Sequence, residues 1–258
     1  MVHDFAVTDR HIVVPILPLA GDLNRARGGL GSFFWRPELG SHLAVLRRGE
    51  AGNTVRWFEA PACYAFHIVN AWEKGDAIWI DLLRYEAPPF FPDADGIIPA
   101  MIPRAVPTRW TVDVASGGTV REERLASLFG EFPRIDERCS GAAHAQTFLA
   151  CCGHDDGGLN AIARLDVASG HTEICRFNVA DAVSEPVFVP RHRHAPADDG
   201  WLLALLTRSG EEVSSMVVLD ARSVGQGPVA EVALPHRVRP GFHGSFVPAG
   251  TIGAEYAA

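Results

Sequence analysis

The segment "ARLDVASGHTEI", residues 163–174, predicts a strand, a tight turn and a second strand. Alternating apolar residues lead to Asp166, and the Ser-Gly pair after it is typical of a turn. Related units occur as "WTVDVASGGTV" (110–120) and "VVLDARSVGQGPV" (217–229), which places their aspartates 53 and 54 residues apart. Repeated units of this kind favour the blades of a β-propeller, with unrelated hairpins of common turn chemistry as the alternative.

Strand patterns dominate the rest of the chain as well. Short runs of β-branched and aromatic residues are separated by Gly, Asp, Ser and Pro, as in "HIVVPILPL" (11–19), "DAIWIDLLRY" (76–85) and "GWLLALLTR" (200–208). Helical spacing is scarce, and its clearest candidate is about one turn at residues 179–184. The sequence therefore predicts an all-β fold with few short helices.

Composition narrows the class of protein. The 258 residues include 23 basic and 31 acidic side chains, a net charge of −8 without a basic cluster, which disfavours a nucleic-acid partner. The start lacks the pattern of a signal peptide, and no apolar run is long enough for a membrane span. The expectation is a cytoplasmic protein without a transmembrane segment. Five cysteines without CxxC spacing are expected to be reduced core residues.

A Pro-rich segment interrupts the strand patterns. Residues 85–107, "YEAPPFFPDADGIIPAMIPRAVP", contain too much proline for a central strand and too many apolar residues for a free linker. We expect an ordered loop packed across one face of the sheets, within a single domain that spans residues 1–258.

Three of the eleven histidines lie beside apolar or aromatic residues, where a strand pattern would predict Val or Ile. They are His3 in "MVHDF", His67 in "YAFHIVNAWE" and His243 in "GFHGSFVP", and each is expected at the inner end of a strand. His11 is left unassigned. The remaining histidines lie in polar or turn-rich contexts that predict solvated loops: His42, His144, His154, His171, His192, His194 and His236.

Two acidic residues stand in similarly apolar settings. Glu131 in "GEFPRID" and Glu185 in "SEPVFVP" interrupt hydrophobic, Pro-bounded strand patterns, and a buried carboxylate needs hydrogen-bond donors. Neutral imidazole suits iron, copper and zinc, and a metal-bound histidine usually donates its second N–H to a carboxylate. The residues alone leave two interpretations open, a histidine metal site or a set of satisfied core histidines.

Five segments, in order along nearly the whole chain, resemble the C-terminal half of the carotenoid oxygenase family. This family includes carotenoid, apocarotenoid and stilbene cleavage dioxygenases and the retinoid isomerase relatives. The matching segments are "MVHDFAVTDRHIVV" (1–14), "FHIVNAWEKGD" (66–76), "GEFPRIDER" (130–138), "SEPVFVPR" with "DDGWLLALL" (184–191 and 198–206) and "LPHRVRPGFHGSFVP" (234–248).

The resemblance implies the C-terminal portion of a seven-bladed β-propeller with a non-haem Fe(2+) ion on its axis, held by histidines. His3, His67 and His243 match three iron ligands, and Glu131 and Glu185 match two glutamates that hydrogen-bond to the ligands. The family's first histidine lies upstream of "HDF", so an N-terminal half is missing from this sequence. Nitrogens that share one ion are expected about 3 to 4 Å apart, by analogy with zinc–imidazole bonds.

By this resemblance, the expected function is an iron-dependent dioxygenase that uses O2 to split a conjugated C=C bond into two carbonyl products. The expected substrate is an apolar carotenoid, apocarotenoid or stilbene-type molecule. One alternative is an inactive truncated propeller remnant that binds a ligand or a partner. A second alternative is a plain interaction module whose histidines belong to the core.

Overall fold

The computed structural model describes residues 1–50, 52–154 and 158–248. The last ten residues of the expected 1–258 domain, 249–258, lie outside these ranges. Over the described ranges the chain forms nineteen strands and one α-helix, α1 (Leu23–Arg27), where the Asp22 side chain accepts from the first backbone N–H groups. No described helix is long and apolar enough to cross a bilayer.

Four antiparallel sheets of four or five strands follow one another along the chain, and two further strands form a separate small sheet. Strands β1 to β6 are Ala6–Val7, His11–Ile16, Leu19–Gly21, Phe33–Trp35, Ser41–Arg47 and Arg56–Ala60; β3 pairs with β4, and the others form blade 1 in the order β1-β2-β5-β6. Blade 2 contains β7 (Ile68–Lys74), β8 (Ala77–Arg84), β9 (Val106–Asp113) and β10 (Arg121–Arg124). Blade 3 contains β11 (Gly130–Arg134), β12 (Gln146–Cys152), β13 (Leu159–Asp166) and β14 (Thr172–Arg176).

Blade 4 closes the series with an interrupted first strand. Its strands are β15 (Ala182–Val183), β16 (Val187–Pro190), β17 (Gly200–Thr207), β18 (Ser214–Asp220) and β19 (Ala230–Ala233). Both β15 and β16 pair with β17, so they occupy one strand position in two pieces. Short 3-10 turns occupy Pro37–Leu39, Gly52–Thr54, Glu137–Cys139 and Val224–Gln226. The predicted all-β, partial propeller fold is confirmed.

The repeated aspartates explain why blades 2, 3 and 4 share a turn. Asp113, Asp166 and Asp220 each end the third strand of a blade. In each case the carboxylate accepts hydrogen bonds from backbone N–H groups of the following turn, such as that of Ser116 or Ser169. This local interaction fixes the direction of the fourth strand, which is why the repeat was visible in the sequence.

Blade 3 is buried on both of its faces. Leu149 and Cys151 of β12 belong to the core cluster shared with blades 1 and 2, whereas Phe148 and Ala150 belong to the cluster shared with blade 4. Successive residues of a strand point to opposite faces, so an apolar residue at every position indicates a sheet sandwiched between two others. The buried thiols are unpaired, as expected, and burial raises the pKa of Cys151 to about 12.

Blade 4 has the same composition, but the described residues cover only one of its faces. Leu202, Ala204 and Leu206 of β17 are buried against blade 3, while the alternating residues Trp201, Leu203 and Leu205 are half-buried. We call this second side the open face of blade 4. It includes a groove of about 250 Å³ lined by Val189, Trp201, Leu203, Val218, Val229 and Phe246.

Glu73, within the "FHIVNAWE" motif, joins blade 2 to the turn between β1 and β2. Its carboxylate accepts from the Thr8 hydroxyl (2.5 Å), from the Arg10 backbone N–H (2.9 Å) and from the Arg10 side chain, and it contacts His11 Nδ1 at 3.0 Å. Burial alone would raise the pKa of Glu73, but these partners outweigh it and lower the pKa to about 2. This contact accounts for His11, which sequence analysis left unassigned.

Two segments differ from simple expectation. The helical turn predicted at residues 179–184 is wrong, because β15 lies there and pairs with Leu206 and Thr207 of β17. Long-range strand pairing overrides the local pattern. In the Pro-rich 85–107 segment, Pro88 and Pro89 are buried, residues 94–102 are exposed, and β9 already begins at Val106.

His144 was predicted to be solvated, and this is wrong. Its side chain is buried where blades 2 and 3 meet, 5.3 Å from the Trp72 ring. The Asn70 amide donates to Nδ1 at 3.3 Å, and Nε2 contacts the Thr147 hydroxyl at 3.2 Å. The Asn70 orientation is fixed because its oxygen accepts from Gly141 N–H, so His144 is held as the neutral tautomer. Burial and then the charge of Arg109 lower its pKa to about 4.

This environment makes the stability of the fold depend on pH. The unfolded His144 side chain binds a proton near pH 6.5, but the folded one does not until about pH 4. Its contribution to stability is therefore complete above pH 6.5 and lost as pH falls towards 4, by up to about 3 kcal/mol. We expect wild-type protein to lose more unfolding free energy than His144→Gln between pH 7 and pH 4, measured by urea denaturation.

The exposed His236 offers the matched control, since His236→Gln should follow the wild-type pH dependence. Equal pH dependence of His144→Gln and wild type would contradict a buried, neutral His144.

Candidate metal centre

The three predicted histidine ligands lie at or beyond the ends of strands. His67 immediately precedes β7, and His3 lies three residues before β1, as expected for positions at the inner end of a blade. His243 differs, because residues 241–248 form no strand. Pro240 and the two glycines around His243 disfavour strand pairing, so an irregular segment presents this imidazole.

The two glutamates lie on the first strands of blades 3 and 4. Glu131 is the second residue of β11. Glu185 was expected inside a strand, but it lies in the gap between β15 and β16. Pro186, the next residue, has no N–H to donate to a sheet ladder, which accounts for the gap.

The first strands of blades 2, 3 and 4 are irregular beside these residues. The register of β7 shifts between Ile68 and Asn70, directly after His67, and that of β11 shifts between Glu131 and Arg134. In blade 4 the first strand divides at Glu185. Such irregularities redirect side chains that a regular strand would alternate between its two faces. Here they bring the expected site residues together.

Each of the three imidazoles has an oxygen acceptor at Nδ1. His3 Nδ1 lies 2.8 Å from the Phe66 carbonyl oxygen, His67 Nδ1 lies 2.5 Å from Glu131 Oε2, and His243 Nδ1 lies 3.1 Å from Glu185 Oε1. A carbonyl oxygen can only accept, and a carboxylate that already accepts other hydrogen bonds does the same. Each Nδ1 therefore carries a proton, which leaves Nε2 as the nitrogen available to bind a ligand.

The lone-pair nitrogens of two of these rings face each other. His67 Nε2 and His243 Nε2 are 3.3 Å apart, within the distance expected for two nitrogens that share an ion. The His3 ring is adjacent, with its centroid 5.2 Å from that of His67 and an edge-on orientation. Two acceptors in contact repel unless a cation or proton lies between them, so this arrangement suits a positively charged ligand.

Both carboxylates are buried, and each accepts hydrogen bonds from several donors. Glu131 Oε1 accepts from the Tyr85 hydroxyl at 2.7 Å, and Oε2 accepts from the Phe132 backbone N–H at 2.9 Å. Burial, together with the charge of Glu131, raises the pKa of Tyr85, so this hydroxyl remains a donor at physiological pH. Glu185 Oε2 accepts from Arg134 at 2.9 Å and from Gly244 N–H at 3.0 Å.

Aromatic rings surround the imidazoles. Phe132 lies 5.5 Å from the His67 ring and 5.7 Å from the His243 ring, between centroids, and Phe242 lies 5.9 Å from Phe132. Phe66 packs edge-on against His3 at 5.1 Å. These rings contact the imidazoles from one side, while His3 and His243 are exposed on the other, the His243 side chain by 52%.

The donor set fits a divalent transition metal. Neutral imidazole nitrogens with carboxylates on their far side are the usual ligands of such ions. Across residues 1–50, 52–154 and 158–248, no three His, Cys, Asp or Glu side chains are already gathered into a complete metal-binding group. The structure instead places Nε2 of His67 and Nε2 of His243 opposite each other, with the His3 ring beside them.

Sequence analysis missed three residues of this centre. Tyr85 was noted only as the start of a Pro-rich segment, and Phe132 and Arg134 only as part of the quoted "GEFPRIDER" motif. Their position next to Glu131 within that motif was the available signal for the last two. No local pattern marks Tyr85, because it lies 46 residues from its partner Glu131.

Comparison with known proteins identifies a matching family and similar proteins for this chain. Residues 1–248 match the family model described as retinal pigment epithelial membrane protein, RPE65. The chain is 36% identical over 263 residues to isoeugenol monooxygenase of Pseudomonas nitroreducens, covering 95% of this chain and 54% of that protein.

Solved structures of similar proteins also superpose on most of this chain. Lignostilbene dioxygenase of Pseudomonas brassicacearum superposes with a TM-score of 0.90 at 33% identity, covering 96% of this chain and 55% of that one. A cobalt-substituted Synechocystis ACO superposes with a TM-score of 0.84 at 25% identity, covering 94% and 52%. The chain thus spans about half the length of the proteins that it matches.

The Tyr85 hydrogen bond can be tested through stability. Tyr85→Phe leaves Glu131 Oε1 without this donor in a buried site, so we expect a loss of about 1–3 kcal/mol in unfolding free energy. Tyr64 is the matched control, because its buried hydroxyl has no partner among the described residues and Tyr64→Phe should cost close to nothing. Equal losses in the two variants, measured by urea denaturation, would contradict the assigned bond.

Proposed function

The chain belongs to the retinal pigment epithelial membrane protein family, and we propose that it provides three histidine ligands of an iron centre in an oxygenase that cleaves a conjugated C=C bond. The observation on which this proposal rests is the 3.3 Å contact between His67 Nε2 and His243 Nε2, with both Nδ1 atoms bonded to carboxylates. Without a positive charge between them, these two lone pairs would face each other unfavourably.

In this proposal His3, His67 and His243 bind Fe(2+) through Nε2. Glu131 and Glu185 accept hydrogen bonds from Nδ1–H of His67 and His243, which fixes the ring orientations and increases the basicity of the ligating nitrogens. The Phe66 carbonyl has the same role for His3. All three ligands stay neutral, and a bound ferrous ion would supply the electrons and the open positions that dioxygen needs.

The aromatic residues would orient the substrate and exclude water. Phe66, Phe132 and Phe242 offer ring surfaces next to the imidazoles, suited to an apolar conjugated molecule. Addition of one O2 molecule across a C=C bond, followed by C–C cleavage, gives two carbonyl products without a general acid or a nucleophilic side chain. No such residue is assigned here.

Of the substrate classes expected from sequence, we propose the stilbene type over the carotenoid type, and we add a short aromatic alkene of the isoeugenol type, which the sequence did not predict. The support is that similar proteins bear the names isoeugenol monooxygenase, at 36% identity, and lignostilbene dioxygenase, at 33%. Proteins whose names contain carotenoid cleavage oxygenase are 32% and 27% identical, and both values lie below those two. The names differ in how many oxygen atoms enter the products, which labelled oxygen can determine.

We further propose that residues 1–258 form one incomplete propeller domain, with residues 85–107 as its ordered loop, and that it works in the cytoplasm together with an N-terminal half. Support comes from the relatives, which are about twice as long, and from the open face of blade 4, which is as apolar as the covered faces of blade 3. A sheet of this composition is normally covered on both sides.

The same open face favours the second candidate function, a truncated remnant that binds an apolar ligand or a partner without catalysis. Its groove is lined by six apolar residues and lies outside the histidine site. The two candidates differ in metal content and in oxygen consumption, which the following two predictions address.

Metal binding should depend on the proposed ligands. We expect His67→Ala and His243→Ala each to lower the iron content of purified protein well below that of wild type, because each removes one of the two facing nitrogens. His192 is exposed and is not one of the three matched ligands, so His192→Ala should retain the wild-type iron content. Iron content would be measured by elemental analysis after anaerobic reconstitution. Wild-type iron content in both ligand variants would refute the assigned centre.

Oxygen incorporation should identify the reaction. We expect the chain, co-expressed with the N-terminal half of its lignostilbene dioxygenase relative, to convert a hydroxylated stilbene into two aldehydes in the presence of O2. With 18O2, mass spectrometry should find label in both aldehydes for a dioxygenase and in one for a monooxygenase. Absence of cleavage, despite bound iron and correct assembly, would favour the remnant.

A further inference from the structure

Strand β11 presents two charged side chains to the same site, although a regular strand could not. Glu131 and Arg134 are three residues apart, and in a regular strand such residues point to opposite faces. The register shift between them adds an offset, so both reach the histidine centre. Glu131 contacts His67, and Arg134 contacts the partners of His243.

One of the two residues between them has an unusual backbone. Phe132 has φ of 56°, in the left-handed region that non-glycine residues rarely adopt. Such a conformation costs about 1 kcal/mol and persists where surrounding contacts fix it. Here the Phe132 ring lies against both His67 and His243, and its N–H donates to Glu131. The irregularity of β11 is therefore part of the site.

Arg134 links three parts of the centre. Its Nη2 donates to Glu185 Oε2 at 2.9 Å and to the Gly244 carbonyl oxygen at 2.6 Å, while Nη1 donates to Glu137 Oε1 at 2.6 Å. The side chain is only 23% exposed. The two Nη2 bonds join β11, the gap in the first strand of blade 4 and the residue after His243.

The segment that bears His243 depends on these contacts. Residues 241–248 lie outside every strand, and Phe242 is largely exposed. The segment is held by His243 Nδ1 and Gly244 N–H on Glu185, and by the Gly244 carbonyl on Arg134. Without Arg134, Glu185 would lose its charged partner and the Gly244 carbonyl oxygen would lose its donor. The hydrogen bonds of this segment to Glu185 and to Arg134 would therefore weaken together.

We propose that Arg134 is a positioning residue for His243, and that β11 thereby controls two of the proposed metal ligands, His67 through Glu131 and His243 through Arg134. Arg134 does not contact the Nε2 atoms, so it acts through Glu185 and the backbone of Gly244. The inference rests on the proposed function for its metal-binding consequence, but its effect on the segment 241–248 does not require a metal.

The test compares Arg134→Gln with Glu137→Gln in the 258-residue chain. The control variant removes the third partner of Arg134, the exposed Glu137 carboxylate, and leaves both Nη2 contacts in place. Hydrogen–deuterium exchange of metal-free protein should show faster exchange of the amides at 241–247 in Arg134→Gln, with exchange in β7 unchanged. In Glu137→Gln, neither region should change.

A metal titration tests the consequence for the ligand. With Co²⁺ as the probe, we expect Arg134→Gln to weaken binding about 10- to 100-fold, which is usual for loss of a group that orients a ligand, while Glu137→Gln binds as wild type. In a His243→Ala background the same Arg134→Gln change should have no further effect on Co²⁺ affinity. A general destabilisation would lower affinity in both backgrounds.

Either of two results would overturn the proposal: unchanged exchange at 241–247 in Arg134→Gln, or an equal loss of Co²⁺ affinity with and without His243. Should wild type fail to bind Co²⁺, the proposed function fails while the exchange result still decides the role of Arg134. If Arg134→Gln does not fold, Arg134→Lys should show a smaller increase in exchange at the same amides, because an ammonium retains the charge but not the planar geometry of the guanidinium.

Discussion

The hydrogen bond from Nδ1 of each imidazole to an oxygen acceptor is the interaction on which the candidate centre depends. It places a proton on Nδ1 of His3, His67 and His243 and leaves Nε2 available to bind a ligand. Two of these acceptors are buried carboxylates, which are stable only because they receive further donors. The centre is thus a hydrogen-bond network. Tyr85 and Arg134 donate to the two glutamates, and the glutamates accept from two of the histidines. Removing an outer member changes the inner ones.

The propeller fold makes this network possible through the irregular first strands of its blades. The third strands of blades 2, 3 and 4 end at the repeated aspartates and contribute to the packed cores. By contrast, β11 contains a register shift, and the first strand of blade 4 is broken at Glu185. Regular strands supply the stability, and the irregular ones place functional side chains, a division often found where sheets border sites.

Sequence predicted the parts of this arrangement that rest on local chemistry. Asp113, Asp166 and Asp220 marked the blade turns because each caps its own turn. The metal-ligand candidates needed the resemblance of whole motifs, since isolated histidines in apolar runs allowed two interpretations. The buried position of His144 and the role of Tyr85 could not be predicted, because both depend on side chains from other strands. The partner of Tyr85 lies 46 residues away, and His144 is buried at the junction of two blades.

The sequence separations within the centre also determine when it can form during biosynthesis. His67 pairs with Glu131 across 64 residues, but it meets His243 only across 176. Blades 1 to 3 share one hydrophobic cluster and can bury it before the last segment leaves the ribosome, whereas the facing nitrogens cannot meet until blade 4 has docked. The centre therefore cannot be complete until residue 243 has been synthesised, because both facing nitrogens are needed to receive a cation.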